Sequence, residues 1–127
     1  MSEEDEERHL LELLKKAGSE PDDETMKTLL KIYTSTLDWI TQERIETVLA
    51  DVDKSLWIRI VLQEMPVLIQ EAPGWAVSLL GEEVEYRFEL VRESLQSMPA
   101  EVQSAVLSVA KSEDYSSFYA NADSLFQ

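Results

Sequence analysis

The only histidine of the chain, His9, follows Glu6 at a Glu-x-x-His spacing. Histidine is the side chain most often used for general acid-base catalysis, and carboxylate di-iron bundles bind metal through such pairs. A di-iron site needs two of these pairs and two further glutamates, whereas this pair lies alone in the most acidic segment of the chain. We interpret it as part of an exposed helix surface and predict no catalytic or metal-binding residues.

A second candidate for metal chemistry is the segment Asp51–Ser55, whose Asp-Val-Asp-Lys-Ser order resembles the start of a calcium-binding loop. Such a loop needs glycine at its sixth position and a bidentate glutamate at its twelfth. This chain has Leu56 and Leu62 at those positions. Asp53 is better explained as the N-cap of a following helix.

Motifs for nucleotide binding and for nucleophilic catalysis are missing from the sequence. It contains neither a Gly-x-x-x-x-Gly-Lys loop nor a Gly-x-Gly-x-x-Gly turn, and Ser78 lacks the Gly-x-Ser-x-Gly context of a nucleophile elbow. The absence of cysteine removes disulfides, zinc ribbons and thiol catalysis. We expect neither an enzyme nor a cofactor, although an enzyme that uses carboxylates alone stays an open alternative.

Carboxylates dominate the charge of the chain, which has 26 acidic and 11 basic residues and a net charge of −15. This charge opposes binding to phosphate backbones and to anionic membranes. Glutamates three and four residues apart predict an acidic stripe on one helix, which either recognises a basic protein surface or only keeps the protein soluble. The stripe consists of Glu82, Glu85, Glu89 and Glu93.

Aromatic side chains are the other candidates for partner contacts, because they serve as anchors in many interfaces. The three tryptophans, Trp39, Trp57 and Trp75, are expected in the core. The aromatics near the C-terminus dock either on their own domain or on a partner. These residues are Tyr115, Phe118, Tyr119 and Phe126.

The elements that position these residues are expected to be helices. With 3 glycines and 4 prolines in 127 residues, turn-forming residues are too scarce for a barrel or a sandwich. Apolar residues recur at spacings of three and four, which is typical of helices that bury one face. We predict an all-α fold, a compact array of about six to seven short helices in a single domain, with residues 1–22 as a loosely docked acidic helix and connector.

The predicted helix boundaries rest on caps and breakers. The helices are expected from Ser2 to Gly18, from Asp22 or Asp23 to Leu37, from Thr41 to Ala50, from Lys54 onward, from Trp75 to a stop at Gly81, from Glu82 to Ser97, from Pro99 to Lys111, and from Ser112 or Asp114 onward. The segment from Pro66 to Glu71 is either a separate turn or a continuation of the preceding helix with a kink at Met65. Leu56–Leu62 fits a helix or a strand, and its neighbours favour the helix. The predicted shared core comprises Trp57, Ile60, Val61, Val84, Phe88, Val91, Val102 and Val106.

These observations favour a small acidic intracellular protein-binding module, an adaptor, inhibitor or regulatory subunit that acts through surface complementarity without catalysis. The acidic start of the chain is the opposite of a secretory signal, so we expect a cytoplasmic protein with no membrane and no direct nucleic acid binding. Its partner is expected to be a protein with a basic surface. The alternative is an acidic inhibitor or DNA mimic that neutralises a basic nucleic-acid enzyme. The predicted partner-binding residues are Glu82, Glu85, Glu89, Glu93, Tyr115, Phe118 and Tyr119.

Overall fold

The computed structural model describes residues 3–119 and 125–126 of the chain, and Ser2, the predicted start of the first helix, lies outside them. The described residues contain eight helices and no strand, which confirms the all-α prediction and exceeds the expected number by at least one. The helices are α1 (Glu3–Ser19), α2 (Asp23–Ser35), α3 (Trp39–Leu49), α4 (Lys54–Gln63), α5 (Met65–Glu71), α6 (Pro73–Gln96), α7 (Ala100–Ala110) and α8 (Glu113–Phe118). The segment Leu56–Leu62 is therefore helical.

The chain forms two compact units, Met1–Trp57 and Ile58–Gln127, and the boundary between them falls inside α4. In the first unit α1, α2 and α3 all pack against one another. Their apolar faces form its core, because burial of apolar surface stabilises the fold by about 25 cal/mol per Å². The buried residues of these three helices include Leu14, Ala17, Met26, Leu29, Leu30, Tyr33, Ile45 and Leu49.

The start of α2 shows how local sequence sets a helix boundary. The carboxylate of Asp22 accepts a hydrogen bond of 2.7 Å from the backbone N–H of Thr25 and lies 3.4 Å from the Lys16 ammonium. The Thr25 hydrogen bond, with a smaller contribution from Lys16, holds the pKa of Asp22 below its usual value. The prediction that Asp22 or Asp23 caps this helix is confirmed for Asp22.

The prediction that the second helix extends to Leu37 is wrong, and so is the prediction that Trp39 lies in the core. The helix stops at Ser35, so the four-residue spacing from Tyr33 does not place Leu37 on its buried face, and Leu37 is fully exposed. Trp39 is the first residue of α3, directly after its N-cap Asp38, and 68% of its surface is exposed. The buried face of α3 lies further along the helix, at Ile45 and Leu49.

In the second unit α5, α6 and α7 pack against one another, and α8 packs against both α6 and α7. Pro66 lies in the first turn of α5 and Pro73 begins α6, where the missing N–H of proline costs no helical hydrogen bond. The hydroxyl of Ser112 caps α8 by accepting a hydrogen bond of 3.2 Å from the N–H of Tyr115. Residues buried on α6 and α7 are Ala76, Leu79, Leu80, Gly81, Val84, Val91, Leu95, Val102, Val106 and Val109.

The prediction that Gly81 ends a helix is wrong, because α6 continues through it. A Cβ atom built on Gly81 would overlap the ring of Tyr119, the residue that follows α8. The glycine is therefore needed for close packing, and it does not stop the helix. We call this contact the Gly81–Tyr119 contact.

The interruption of α6 lies instead at Arg87, whose φ of −141° and ψ of 46° are not helical. A four-residue spacing that crosses such a residue no longer returns to the same face of the helix. Val84 and Val91 are buried on either side, whereas Phe88 is only half-buried. The prediction that Phe88 belongs to the core is therefore wrong.

The Gly81–Tyr119 contact can be tested by alanine substitution. Gly74→Ala and Gly18→Ala should each raise the free energy of unfolding by about 0.5 to 1 kcal/mol, because a Cβ there meets nothing within 4 Å and alanine favours the helix. Gly81→Ala should instead destabilise the protein. In a Tyr119→Ala background, Gly81→Ala should no longer lower the free energy of unfolding, as measured by urea denaturation. A destabilisation that persists in that background would contradict the contact.

Candidate functional site

The four glutamates predicted to form an acidic stripe are all exposed on α6, and we call them the acidic face (Glu82, Glu85, Glu89 and Glu93). The interruption at Arg87 separates the first two from the last two. Tyr86 lies among them with 72% of its surface exposed. The structure thus places two exposed carboxylates on each side of the interruption, and their role in binding stays a prediction.

The arginines of α6 leave the acidic face unneutralised. Arg87 Nη1 lies 3.0 Å from Glu83 Oε2, but Glu83 is not part of the acidic face. Glu89 and Arg92, three residues apart, form no salt bridge in the described part of the chain, and the buried Nε of Arg92 has no hydrogen-bond partner there. Within residues 3–119 and 125–126, no member of the acidic face forms a salt bridge.

The three aromatic residues predicted to contact a partner lie in different environments. Tyr115 is 1% exposed, so its ring belongs to the core and is not available on the surface. Phe118 is 79% exposed at the end of α8, and Tyr119 is half-buried against Gly81. The ring centroids of Tyr115 and Tyr119 are 5.3 Å apart with a tilt of 40°, an arrangement that aromatic pairs favour. Phe118 is thus the aromatic residue of this set that a partner can reach without rearrangement.

The hydroxyl of Tyr115 is buried and has no hydrogen-bond partner among the described residues. Burial raises the pKa of Tyr115 to about 12, with smaller contributions from Tyr119 and the Glu85 carboxylate. Tyr115 therefore stays protonated at neutral pH. Because the Glu85 carboxylate contributes to the raised pKa of Tyr115, this carboxylate lies close to the Tyr115 side chain on α8.

A groove lies between the first half of α6 and α8, and we call it the α6–α8 groove. Its volume is about 270 Å³, and its lining residues are Gly74, Val77, Ser78, Asp114, Phe118 and Tyr119. A neighbouring depression of about 350 Å³ shares Gly74 and Ser78. The groove was not predicted from the sequence. The signal that could have found it is the pair of small residues Gly74 and Ser78, which are four apart and therefore adjacent on one helix face.

The first unit also exposes apolar side chains that the sequence analysis missed. Leu37 and Trp39 are joined by Ile40, which is also exposed, around the capping residue Asp38. The sequence signal that could have found them is the Thr36–Asp38 segment. Thr36 Oγ1 accepts a hydrogen bond of 3.1 Å from the Asp38 N–H, and Asp38 Oδ1 accepts one of 3.0 Å from the Ile40 N–H. Such side-chain turns mark a helix start and not a helix interior.

Two residues considered above for metal or catalytic chemistry, His9 and Asp53, lie on a helix surface and at a helix start. His9 is exposed on α1, and the Asp53 carboxylate accepts a hydrogen bond of 2.8 Å from the Ser55 N–H at the start of α4. Among the described residues, no group of three or more histidine, aspartate or glutamate side chains is arranged to hold a metal ion. None of the helices in the described ranges is both long enough and apolar enough to span a bilayer.

Comparison with known proteins gives no relatives: no family model matches the chain, and no curated protein or solved structure is significantly similar to it. An all-α fold on its own carries many functions. The functional conclusion therefore depends on the chemistry of the exposed surfaces.

The environment of Tyr115 predicts a specific dependence of stability on pH. Because its pKa is about 12 in the folded state and about 10 in the unfolded state, the unfolded chain ionises first as pH rises. The free energy of unfolding should fall between pH 10 and 12, and it should fall less for Tyr115→Phe. At neutral pH this variant should stay within about 1 kcal/mol of the wild type, since its hydroxyl has no partner to lose.

The matched control for this experiment is Tyr86→Phe, which removes an exposed phenol from the same unit. Urea denaturation at several pH values gives the free energy of unfolding for each variant. Tyr86→Phe should keep the alkaline fall of the wild type. An equal fall in Tyr115→Phe would contradict the assignment to Tyr115.

Proposed function

We propose that this protein is a non-catalytic helical binding protein, an adaptor, inhibitor or regulatory subunit, whose acidic face contacts a basic surface of a partner protein. The observation that carries the proposal is the set of four exposed carboxylates that no described basic residue neutralises. They form two pairs on α6, Glu82 with Glu85 before the interruption at Arg87 and Glu89 with Glu93 after it. Several lysine or arginine side chains of a partner can pair with them.

The acidic face is supported by a helix that is fixed in the second unit. The buried face of α6 includes Val84, Val91 and Leu95, and the helix packs against α5, α7 and α8. Carboxylates on such an element lose less conformational freedom on binding than carboxylates on a loop. This arrangement favours recognition by a preformed surface.

The charge of the whole chain supports the choice of partner. A net charge of −15 attracts a basic protein over a distance of about one Debye length, roughly 8 Å at physiological salt. The same charge repels nucleic acids and anionic membranes, so we propose no direct binding to either. Electrostatic steering chiefly raises the association rate, and rim charges add little to the final affinity.

Charge reversal on α6 tests the proposed function. A partner is first isolated by co-purification from the native host, and its association rate is then measured across a salt series. Glu85→Lys with Glu89→Lys should slow association by about tenfold at low salt and flatten the salt dependence. Equal rates for both proteins with no salt dependence would contradict the proposal and leave the solubility explanation of the acidic face.

The control for this experiment reverses two exposed acids of the first unit, Glu43→Lys with Asp51→Lys. Each reversal adds two charge units, so both double variants change the net charge from −15 to −11. The control should retain most of the wild-type association rate. A control that is slowed as much as the α6 variant would assign the effect to net charge and not to the acidic face.

The same assay examines the inhibitor alternative. If the partner is an enzyme that binds DNA through its basic surface, duplex DNA should compete with this protein for it. Competition would identify the protein as an inhibitor of that enzyme. Simultaneous binding of DNA and this protein would exclude that form of inhibition.

A further inference from the structure

We infer that the α6–α8 groove binds one bulky apolar side chain of the partner. The partner segment that enters the groove is then a basic stretch of chain with a single aromatic or aliphatic anchor. This inference rests on the proposed function, because it concerns the same partner. It adds the feature that would distinguish this partner from other basic surfaces.

The size of the groove favours a single side chain. Pockets for cofactors and drug-sized ligands have volumes of about 300 to 1,000 Å³, and the groove, at about 270 Å³, lies just below that range. Its walls include the apolar side chains of Val77 and Phe118. Anchors of protein interfaces fill pockets of this kind and are surrounded by polar contacts.

Phe118 provides a second argument for an apolar anchor. Phe118 is 79% exposed, whereas Phe126 is 38% exposed and Tyr115 and Tyr119 pack against each other. Burial of apolar surface stabilises a complex by about 25 cal/mol per Å². A partner side chain that covers the exposed Phe118 ring would therefore stabilise the complex. The groove beside Phe118 provides the space for such a side chain.

The negative charges near the groove favour a basic partner segment around the anchor side chain. Among the described residues that line the groove, Asp114 is the charged one, and none is a lysine or an arginine. The exposed Glu113 precedes it on α8. Glu82, the first member of the acidic face, lies four residues after Ser78 and is therefore its neighbour on the surface of α6. A basic chain that fills the groove can thus continue along the acidic face.

The wall of the groove is preformed. The Gly81–Tyr119 contact places the Tyr119 ring directly on the backbone of α6, and Tyr119 lines the groove. Gly74 has no side chain, and a Cβ added there would meet nothing within 4 Å. The space over Gly74 is therefore open to a partner side chain.

The experiment uses the full chain and short fluorescein-labelled peptides as probes. One peptide contains several lysines and a central tryptophan, and a second has alanine in place of the tryptophan. Fluorescence anisotropy measures the affinity of each peptide for the wild type and for Gly74→Leu, in which a new side chain occupies the groove. Gly18→Leu is the matched control, because its Cβ also meets nothing within 4 Å and Gly18 lies on α1.

The tryptophan peptide should bind about tenfold more tightly than the alanine peptide, a difference of roughly 1.4 kcal/mol. Gly74→Leu should remove that preference, and Gly18→Leu should keep it. Asp114→Asn should lower the affinity for the tryptophan peptide. Glu113→Gln should lower this affinity less, because Glu113 is not among the residues that line the groove. Circular dichroism and thermal denaturation confirm that each variant is folded.

Equal affinities for the two peptides, or a preference for tryptophan that survives Gly74→Leu, would overturn the groove inference. Failure of both peptides to bind would overturn it as well, and the salt series with the native partner would still decide the proposed function. If Glu85→Lys with Glu89→Lys leaves binding of the tryptophan peptide unaffected while Gly74→Leu prevents it, the groove inference stands, and the salt series with the native partner decides the role of the acidic face.

Discussion

The close approach of the Tyr119 ring to the backbone of Gly81 is the constraint on which the α6–α8 groove depends. It holds the residue after α8 against the middle of α6 and thereby forms one wall of the α6–α8 groove. The same arrangement places Tyr119 beside Tyr115 and the Glu85 carboxylate near α8. A glycine inside a helix has a conformational cost of about 0.5 to 1 kcal/mol, and here the packing of an aromatic ring offsets it.

The two sides of α6 have opposite effects on the stability of the helix. One face contributes Leu79, Val84 and Val91 to the core of the second unit, so the helix is held by burial of apolar surface. The exposed side of α6 carries the acidic face. Like charges four residues apart destabilise a helix by a few tenths of a kcal/mol. Because burial outweighs this repulsion, the helix can keep carboxylates that are not paired within the described chain.

The sequence predicted well what depends on neighbouring residues. The all-α fold and the caps at Asp22 and Ser112 follow from composition, spacing and side-chain hydrogen bonds, which act over one helical turn. The continuation of α6 through Gly81 and the position of Phe88 depend on tertiary packing and on the backbone of Arg87, and no local pattern records them. The exposure of the acidic face was predictable from its spacing, whereas the groove needs residues of two helices to meet.

The interruption at Arg87 also affects how α6 fluctuates. A residue with non-helical φ and ψ distorts the ladder of backbone hydrogen bonds around it, so local opening can begin in the middle of the helix as well as at its ends. The segment before Arg87 is held by α8 and the one after it by its own buried residues, Val91 and Leu95. The acidic face thus spans two segments, and we expect their amide hydrogens to exchange as separate cooperative units.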